Sequence, residues 1–364
     1  MEKERVVRVA LDIRMLNHSG IGTMLRGLLC GFESLNDAPD FIFIGPENFI
    51  SEIPPKLLRK FLILNTSIYG IDSQLFYPHQ IDTDLLHYPH YNFPIKFKGK
   101  LIINVHDLAH YHFPTSPIHK YYISFFLNKL KKRNIQTITG TNFIKNELIE
   151  IFKLEEEKIE VVPHSVDLNF FTRPSKEDVE KFKKQYRLPE NYILAIGINK
   201  PHKNIEFLIR VLGRKEFAEA PFVYCGSQRG KRKNLEVLVA RLGIESRVIF
   251  LDQISLKEIK YLYAGAEIFV FPSIYEGFGL PPLEAMAIGV PVVSSNSKPL
   301  PEVLDDTPLF FDPKSEDSCA EAIIKVLDSS SLKKELANKG YNHIKKFSWK
   351  SSAEKTLNVY KRVS

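Results

Sequence analysis

The sequence predicts an α/β protein built from two doubly wound, mostly parallel sheets. Short apolar runs alternate with longer segments of helical periodicity along most of the chain. The run at residues 101–105 is continuously apolar, as expected for a parallel strand covered on both faces. The alternation is interrupted by the charged stretch 172–190 and then resumes. We therefore expect two units, covering residues 1–170 and 171–349.

In the first half, each predicted strand is followed by a turn or a helix. The first strand covers residues 6–13, residues 19–23 form a tight polar turn, and a helix begins at Met24. Later strands are predicted at residues 41–44, 101–105 and 137–141. Ligands of open parallel sheets bind at the carboxyl ends of strands, so the loops after these strands are where site residues are expected.

The second half begins with a polar linker and an exposed helix, after which the strand pattern returns. The predicted strands cover residues 192–197, 222–225, 248–251, 268–271 and 290–293. Two Rossmann-like halves joined near residue 170 are expected to face a central cleft.

The composition indicates that the chain can form hydrophobic cores, and it argues against a membrane-spanning, secreted or disulfide-rich protein. The chain has 364 residues, 44% of them hydrophobic, and no apolar run long enough to span a membrane. The charged N-terminus lacks the apolar segment of a secretory signal, and three separated cysteines give no disulfide framework. We therefore expect a cytoplasmic protein. The net charge of +7 suits an anionic substrate, an anionic membrane or a nucleic acid.

The most informative stretch is residues 273–287, where Glu276 and Glu284 enclose two glycines and a proline pair. Pro281 and Pro282 suit the first turn of a helix, where no amide donor is needed. The stretch is thus predicted to be a glycine loop followed by a helix, with both carboxylates near the helix N-terminus. Backbone amides there favour phosphate, and two carboxylates suit sugar hydroxyls, so a sugar nucleotide fits this place.

The segment from Tyr192 to Trp349 resembles the retaining glycosyltransferases of family 4, which have the two-domain GT-B fold. The two glutamates, in their context of glycines and prolines, match the family's E-x7-E signature. Other matching motifs follow in the family's order, at residues 193–197, 200–204, 248–251, 289–294, 300–303, 310–313 and 347–349. The first half resembles the family through a glycine loop at Gly20 and Gly22, and through His106 after a strand.

The resemblance implies catalytic roles for Glu276, Lys203 and His106. In the family, the position of Glu276 contacts the transferred sugar; the alternative is a loop carboxylate that caps the next helix. Lys203 is the candidate clamp for the leaving diphosphate, against the alternative of a solvated lysine at a helix start. A histidine in the region of His106 lies near the sugar ring, and the alternative is a hydrogen-bonded structural histidine.

The resemblance also implies donor-binding roles. Glu284 is expected to contact the ribose of the nucleotide. The alternative is an ordinary glutamate near a helix start. His202 stands where many family members have arginine, so its contribution to phosphate binding depends on its protonation. Glycine permits close approach of the backbone to a ligand, although a plain turn would need the same glycines. The residues expected to bind the donor through such loops are Gly277, Phe278, Gly279, Leu280, Gly20 and Gly22.

Three further patterns have competing interpretations. Histidines at 87–90 and 110–112 suggest a metal but show no convergent ligand set, and the family needs none, so no metal is expected. Residues 118–133 combine aromatic side chains with five basic residues and no acid. Such a helix can lie peripherally on an anionic membrane, or it can bury its aromatic side and leave a solvated basic end. The basic cluster 229–233 is interpreted as a solvated loop or helix start.

The predicted function is that of a retaining glycosyltransferase. It moves a hexose, with mannose favoured, from a nucleotide diphosphate sugar to a glycan or lipid-linked acceptor hydroxyl in polysaccharide or glycoconjugate synthesis. GDP-mannose is the favoured donor, a UDP-hexose is the alternative, and no cofactor is expected. The donor is expected on residues 171–349 and the acceptor on residues 1–170, against which the last helix, 350–364, packs back.

Two other functions fit parts of the pattern. An NAD-dependent oxidoreductase predicts a third fingerprint glycine and an acidic residue after the second strand, and neither is evident. A non-catalytic binder of sugar nucleotides or of nucleic acid agrees with the net charge, but no nucleic-acid-binding module is recognised.

Overall fold

The computed structural model describes residues 6–226, 230, 232–252 and 254–364. The chain divides into two compact units. Unit 1 comprises Met1–Ser165 together with Phe347–Ser364, and unit 2 comprises Val166–Lys346. The last residues of the chain therefore return to the first unit. Within the basic cluster 229–233, Arg229 and Lys231 lie outside the described residues.

Unit 1 is built on a seven-stranded sheet in which all neighbouring strands are parallel. Its strands are β1 (Arg8–Asp12), β2 (Asp40–Gly45), β3 (Lys60–Ile63), β4 (Leu85–Tyr88), β5 (Lys100–Asn104), β6 (Gln136–Thr139) and β7 (Ile159–Val161). Their spatial order is β3-β2-β1-β4-β5-β6-β7. The order reverses between β1 and β4, as in a doubly wound fold, so the predicted architecture of the first half is confirmed.

The helices that connect these strands are α1 (Ser19–Glu33), α2 (Ile71–Leu75), α3 (Ala109–His112), α4 (Pro117–Lys132) and α5 (Asn142–Phe152). The polar turn predicted at residues 19–23 is wrong, because these residues form the first turns of α1. The amide of Gly22 already donates a hydrogen bond to the carbonyl of His18 at 2.6 Å. Two glycines lower the intrinsic helix propensity of the segment, which is why the sequence pattern favours a turn.

A buried ion pair fixes the chain after β1. Arg14 Nη2 lies 2.9 Å from Asp12 Oδ2, and neither side chain is more than 2% exposed. Arg14 also donates to the hydroxyls of Thr66, Ser73 and Tyr88. A buried charge left without partners is strongly destabilising, so this network ties the loop after β3, the helix that contains Ser73 and the end of β4 to the carboxyl end of β1.

Unit 2 is built on a six-stranded, wholly parallel sheet. Its strands are β8 (Ile193–Ile196), β9 (Phe222–Cys225), β10 (Val248–Leu251), β11 (Ile268–Phe271), β12 (Val292–Ser295) and β13 (Leu309–Phe311). The spatial order β10-β9-β8-β11-β12-β13 reverses between β8 and β11. The second doubly wound unit is thus also confirmed. The strands predicted at residues 222–225, 248–251 and 268–271 have the same bounds in the structure.

The helices of unit 2 are α6 (Lys176–Tyr186), α7 (Ile205–Leu212), α8 (Lys233–Leu242), α9 (Ile259–Ala264), α10 (Leu280–Ile288), α11 (Leu300–Leu304), α12 (Glu316–Leu327) and α13 (Ser330–His343). The interpretation of 229–233 as solvated is wrong for Arg232, which is buried. Its guanidinium pairs with Glu236 at 3.0 Å and with Asp252 at 2.7 Å. These two carboxylates make burial of a cation tolerable.

The C-terminal helix, α14 (Trp349–Val363), packs against α1 within unit 1. The contact requires glycine on α1, since a Cβ at Gly27 would lie 2.0 Å from the Trp349 ring. A Cβ at Gly31 would lie 2.2 Å from the backbone oxygen of Trp349. The buried positions of α14 recur at helical spacing and include Trp349, Ala353, Leu357 and Tyr360.

We predict that Gly31→Ala destabilises unit 1 by about 1–3 kcal/mol, because the new methyl group meets backbone atoms that cannot move aside. Guanidinium unfolding followed by the fluorescence of Trp349, the single tryptophan of the chain, measures this change at the contact itself. The matched control is Gly20→Ala on the same helix, where nothing lies within 4 Å of the new Cβ. Equal stability of the two variants would contradict the packing argument.

Candidate active site

The loop between β11 and α10 lies at the carboxyl edge of the unit 2 sheet, beside the reversal of strand order. Gly279 precedes α10 in the left-handed conformation, at φ +93°. A Cβ at this position would lie 2.7 Å from Leu300 Cδ2, so both conformation and space favour glycine. Pro281 occupies the first turn of α10. The loop and helix predicted for residues 273–287 are confirmed.

Lys203 and Glu276 form an ion pair at this edge. Lys203 Nζ donates to Glu276 Oε1 at 2.6 Å, and the two side chains are 18% and 10% exposed. The ammonium also lies 5.8 Å from the ring centroid of Phe271. Because little water reaches either group, each charge depends on the other for stabilisation.

The segment after β8 carries Lys203 to the β11 loop. Pro201–Lys203 forms one turn of 3₁₀ helix, and Asn204 follows in the left-handed conformation at φ +58°. The Asn204 side chain donates to the carbonyl of Pro313 at 3.1 Å. The amide of Ile274 donates to the carbonyl of His202 at 2.8 Å, which joins the two loops directly. Backbone and side-chain contacts therefore together bring Lys203 to Glu276.

Glu284 lies in the second turn of α10 and is partly buried. Its Oε2 accepts a hydrogen bond from the hydroxyl of Tyr263 on α9 at 2.8 Å. Burial raises the pKa of Glu284 from its ordinary value of 4.5 to about 7, and the hydrogen bond from Tyr263 partly opposes this rise. The carboxyl group consequently holds its proton to a higher pH than an ordinary glutamate does.

The other predicted donor-binding residues of unit 2 lie in the same two loops. His202, on the β8 segment, is buried against the backbone of the β11 loop. The β11 loop and the start of α10 hold Gly277, Phe278, Gly279 and Leu280. The structure thus brings eight predicted residues together along one sheet edge, the two glutamates and Lys203 included.

Two polar residues of this region escape prediction from the sequence. Tyr263 occupies a buried position of a helix, where its periodicity indicates only core packing. Ser273 is buried at the start of the β11 loop, and its hydroxyl has no hydrogen-bond partner within the described chain. A buried hydroxyl without a partner is uncommon and marks a place where a ligand or water atom would be accommodated. Only the tertiary structure identifies either residue.

Gly20 and Gly22 occupy α1 of unit 1 and form no loop, which corrects the predicted glycine loop. A Cβ at Gly22 would lie 1.9 Å from the carbonyl oxygen of Leu16, so close packing requires glycine there. Nothing lies within 4 Å of a Cβ at Gly20. Donor binding by these two glycines stays a prediction.

His106 follows β5 at the carboxyl edge of the unit 1 sheet. Its Nε2 lies 2.9 Å from the carbonyl oxygen of Pro89 and therefore carries the proton. Burial lowers the pKa of His106, so the ring is neutral and its Nδ1 is an acceptor. Asp107 accepts the amide of Ala109 at 2.8 Å and so fixes the turn before α3.

The neighbouring histidines are held in neutral hydrogen-bonded networks. His87 meets the hydroxyl of Tyr360 at 2.6 Å through Nδ1 and the side-chain oxygen of Asn104 through Nε2. Burial lowers the pKa of His87 to about 4 and that of His90 to about 3. Within the residues that the structure describes, no group of three or more His, Cys, Asp or Glu side chains is arranged to hold a metal ion.

The chemistry assembled in unit 2 suits a ligand that is both an anion and a polyol. Lys203 supplies a positive charge of fixed position. Glu276 and Glu284 supply carboxyl groups with different surroundings, one beside an ammonium group and one beside a phenol. Carboxylates accept hydrogen bonds from sugar hydroxyls, and an ammonium group neutralises phosphate.

Comparison with known proteins gives an independent result for the same segment. Residues 176–343 match the family described as glycosyl transferases group 1. The O-antigen chain mannosyltransferase RfbU of Salmonella typhimurium is 34% identical over 223 residues, covering 61% of this chain and 59% of that protein. The O-antigen chain mannosyltransferase B of Escherichia coli is 33% identical over 227 residues, covering 62% and 60%. The match spans about three fifths of the length of these curated relatives.

Solved structures extend the similarity in fold to nearly the whole chain. A glycosyltransferase of Rickettsia africae has a TM-score of 0.77 at 18% identity, over 99% of both chains. HepE of Anabaena, in complex with UDP-glucose, has a TM-score of 0.78 at 16% identity, over 98% of this chain and 100% of that one. The GT-B fold is thereby confirmed. Residues 176–343, just under half of the chain, thus carry the similarity to the glycosyl transferases group 1 family.

Proposed function

We propose that the chain is a retaining glycosyltransferase that moves mannose from GDP-mannose to a hydroxyl of a glycan or lipid-linked acceptor in polysaccharide synthesis. The match of residues 176–343 to the glycosyl transferases group 1 family supports glycosyl transfer. The relatives named as O-antigen chain mannosyltransferases support mannose and a polysaccharide product. The structural similarity to HepE in complex with UDP-glucose supports a UDP-hexose as the second candidate donor.

The observation that carries this proposal is the 2.6 Å ion pair between Lys203 and Glu276 at the carboxyl edge of the sheet. In the proposed retaining transfer, the bond from the anomeric carbon to the diphosphate oxygen breaks and a bond to the acceptor oxygen forms on the same face. The acceptor proton passes to the leaving phosphate. Negative charge grows on the diphosphate as the bond breaks, and a preorganised ammonium group stabilises that charge. Lys203 is assigned this role.

Glu276 is assigned to the transferred sugar. Its carboxylate accepts hydrogen bonds from sugar hydroxyls and keeps the anomeric carbon in register, without acting as a covalent nucleophile. The backbone of residues 277–280 and His202 contribute to diphosphate binding. Glu284, farther along α10, accepts hydrogen bonds from the ribose hydroxyls of the nucleotide. This assignment orders the donor along the loop and helix, with sugar at the loop and nucleotide at the helix.

Unit 1 is assigned to the acceptor. The neutral His106, with Nε2 held by the carbonyl of Pro89, offers Nδ1 as an acceptor for a sugar or acceptor hydroxyl. A ring fixed by the backbone in this way orients a hydroxyl without competing for the proton that passes to phosphate. The side chain is therefore a positioning group in the proposed reaction.

We also propose that α4 contacts an anionic membrane, which would present a lipid-linked acceptor. Ile118, Tyr121 and Phe125 are 66%, 76% and 47% exposed, and their spacing places them on one face of α4. The same helix ends in Lys129, Lys131 and Lys132. Exposed aromatic and aliphatic side chains beside lysines suit the interface of an anionic bilayer. Among the described helices, none has the length and apolar character needed to cross a membrane.

Glu276→Gln is predicted to lower the transfer rate by roughly 10²–10³-fold, because a hydrogen-bonding partner of the transition state loses its charge. Donor binding is expected to change less than the rate, since Lys203 stays available to the diphosphate. The measurement is transfer from radiolabelled GDP-mannose, UDP-glucose and UDP-GlcNAc, with binding followed in parallel. Glu245→Gln, at an exposed position of unit 2, is the control and should retain full activity. Binding of none of the three donors would contradict the proposed function.

Donor affinity is predicted to rise with pH through about 7. The pKa of Glu284 is raised, so this carboxyl group is protonated below that pH and ionised above it. The ionised form accepts stronger hydrogen bonds from ribose, so affinity should increase roughly tenfold between pH 6 and pH 8. In Glu284→Gln the profile should be flat over this range. Calorimetric titration of both proteins across the range is the measurement, and an unchanged pH profile in the variant would exclude Glu284 as the titrating group.

Combined replacement of Ile118, Tyr121 and Phe125 by serine is predicted to weaken binding to phosphatidylglycerol vesicles by about tenfold or more, because three apolar side chains no longer enter the interface. Vesicle sedimentation measures the effect. Leu256→Ser removes an apolar side chain of unit 2 that is also exposed, and it should leave binding unchanged. Equal binding by the wild type and the triple variant would contradict membrane contact through α4.

A further inference from the structure

Unit 1 contains a cavity of about 510 Å³ at the amino edge of its sheet, the end opposite to His106. Lys100 is the first residue of β5, and Gln136 is the first residue of β6. Lys158 comes directly before β7. Three neighbouring strands thus begin at the wall of this cavity. The donor and acceptor assignments above make no use of it.

The cavity wall is strongly cationic. It carries Lys100, Arg133, Lys158 and Arg362 against a single carboxylate, Glu157. The two arginines have other partners. Arg133 donates to the carbonyls of Ile95 and Phe97, and Arg362 pairs with Glu160.

Lys100 and Lys158 differ from the two arginines in their contacts. Neither Lys100 nor Lys158 lies within 4.0 Å of a carboxylate oxygen in the described part of the chain. The wall therefore presents two lysines without a close carboxylate partner and holds a single carboxylate, Glu157, so an anion there would meet an excess of positive charge. Arg133, held by two backbone carbonyls, is a rigid part of the same wall.

One residue of the cavity wall, Gln136, has an unsatisfied donor. The side-chain nitrogen of Gln136 is buried and has no hydrogen-bond acceptor within the described residues. A buried polar group without a partner costs about 1–3 kcal/mol, so such groups are few in folded proteins. An anion at this wall would meet the positive charge of Lys100 and Lys158, and an acceptor oxygen that reached Gln136 would also satisfy its amide.

We infer that this cavity is a binding site for a phosphate-bearing anion. Phosphate offers several strong acceptor oxygens and a double negative charge, which match two lysines and an amide donor. The volume lies in the range of small-molecule sites and holds a group as large as a phosphorylated sugar or a lipid headgroup. Arg133 directly follows α4, the helix with the exposed apolar face, so both a soluble phosphate and an anionic lipid headgroup are sources of this chemistry.

The test uses the full chain and two probes, sodium pyrophosphate and vesicles of phosphatidylglycerol or phosphatidylcholine. Binding is measured at constant ionic strength, and hydrogen exchange locates the protected segments. The wild type should be protected at residues 99–101 and 133–136. The double variant Lys100→Gln, Lys158→Gln should bind about tenfold more weakly. Gln136→Glu, nearly the same shape, places a negative charge in the cavity wall and should abolish binding while keeping the fold.

Lys60→Gln is the matched control, because Lys60 is an exposed lysine that begins β3, at the opposite edge of the same sheet. It should bind like the wild type. Protection by pyrophosphate that is lost in both cavity variants identifies a soluble phosphate ligand. Binding to phosphatidylglycerol alone, lost in the same variants, identifies a lipid headgroup. Wild-type affinity of the cavity variants for both probes would overturn the inference.

Failure of this inference is distinguishable from failure of the proposed function. Pyrophosphate can also bind near Lys203, but that binding would protect residues 197–204 of unit 2 and would persist in the cavity variants. Loss of transfer activity in Glu276→Gln, with unchanged protection at residues 133–136, would show that the two sites are independent.

Discussion

The ion pair between Lys203 and Glu276 is the interaction on which the site of unit 2 depends. It joins the loops that follow β8 and β11, the two strands between which the order of the sheet reverses. A doubly wound sheet leaves a crevice at this point, since helices on either side of the reversal lie on opposite faces. Both side chains are mostly buried, so neither charge is tolerable without the other. The pair therefore fixes loop geometry and supplies the charges that the proposed reaction uses.

Glu284 shows how one helix gives two carboxyl groups different properties. Glu276 meets an ammonium group before α10 begins, whereas Glu284 meets the hydroxyl of Tyr263 one turn into the helix. Burial raises the pKa of Glu284 to about 7, and the hydrogen bond from Tyr263 opposes this rise only in part. The spacing in the E-x7-E signature thus separates a charged group from a group that titrates near neutrality. That difference suits one residue to the sugar and the other to the ribose.

Unit 1 is completed by the end of the chain. Trp349 and Ala353 of α14 fit against the glycines of α1, and the hydroxyl of Tyr360 reaches His87 in the sheet.

Unit 1 also shows where part of the net positive charge of +7 is located. Part of it lies at the end of α4, and part lines the cavity at the amino ends of β5, β6 and β7. Phosphate chemistry is therefore assigned to two separate regions, the donor loops of unit 2 and the cavity of unit 1.

The sequence alone determined the class of fold, most central strands, and the loop and helix around Glu276 and Glu284. These features depend on local apolar runs and on glycine and proline, whose conformational limits act within a few residues. The start of α1 was not predictable, because glycine has a low helix propensity and only the structure shows that the carbonyl of Leu16 leaves no room for a Cβ at Gly22. Only the tertiary structure decided that Tyr263 meets Glu284, and that Lys100, Gln136 and Lys158 share one cavity. Parallel strands bring together residues far apart in the chain, and no local pattern encodes which of them meet at a common edge.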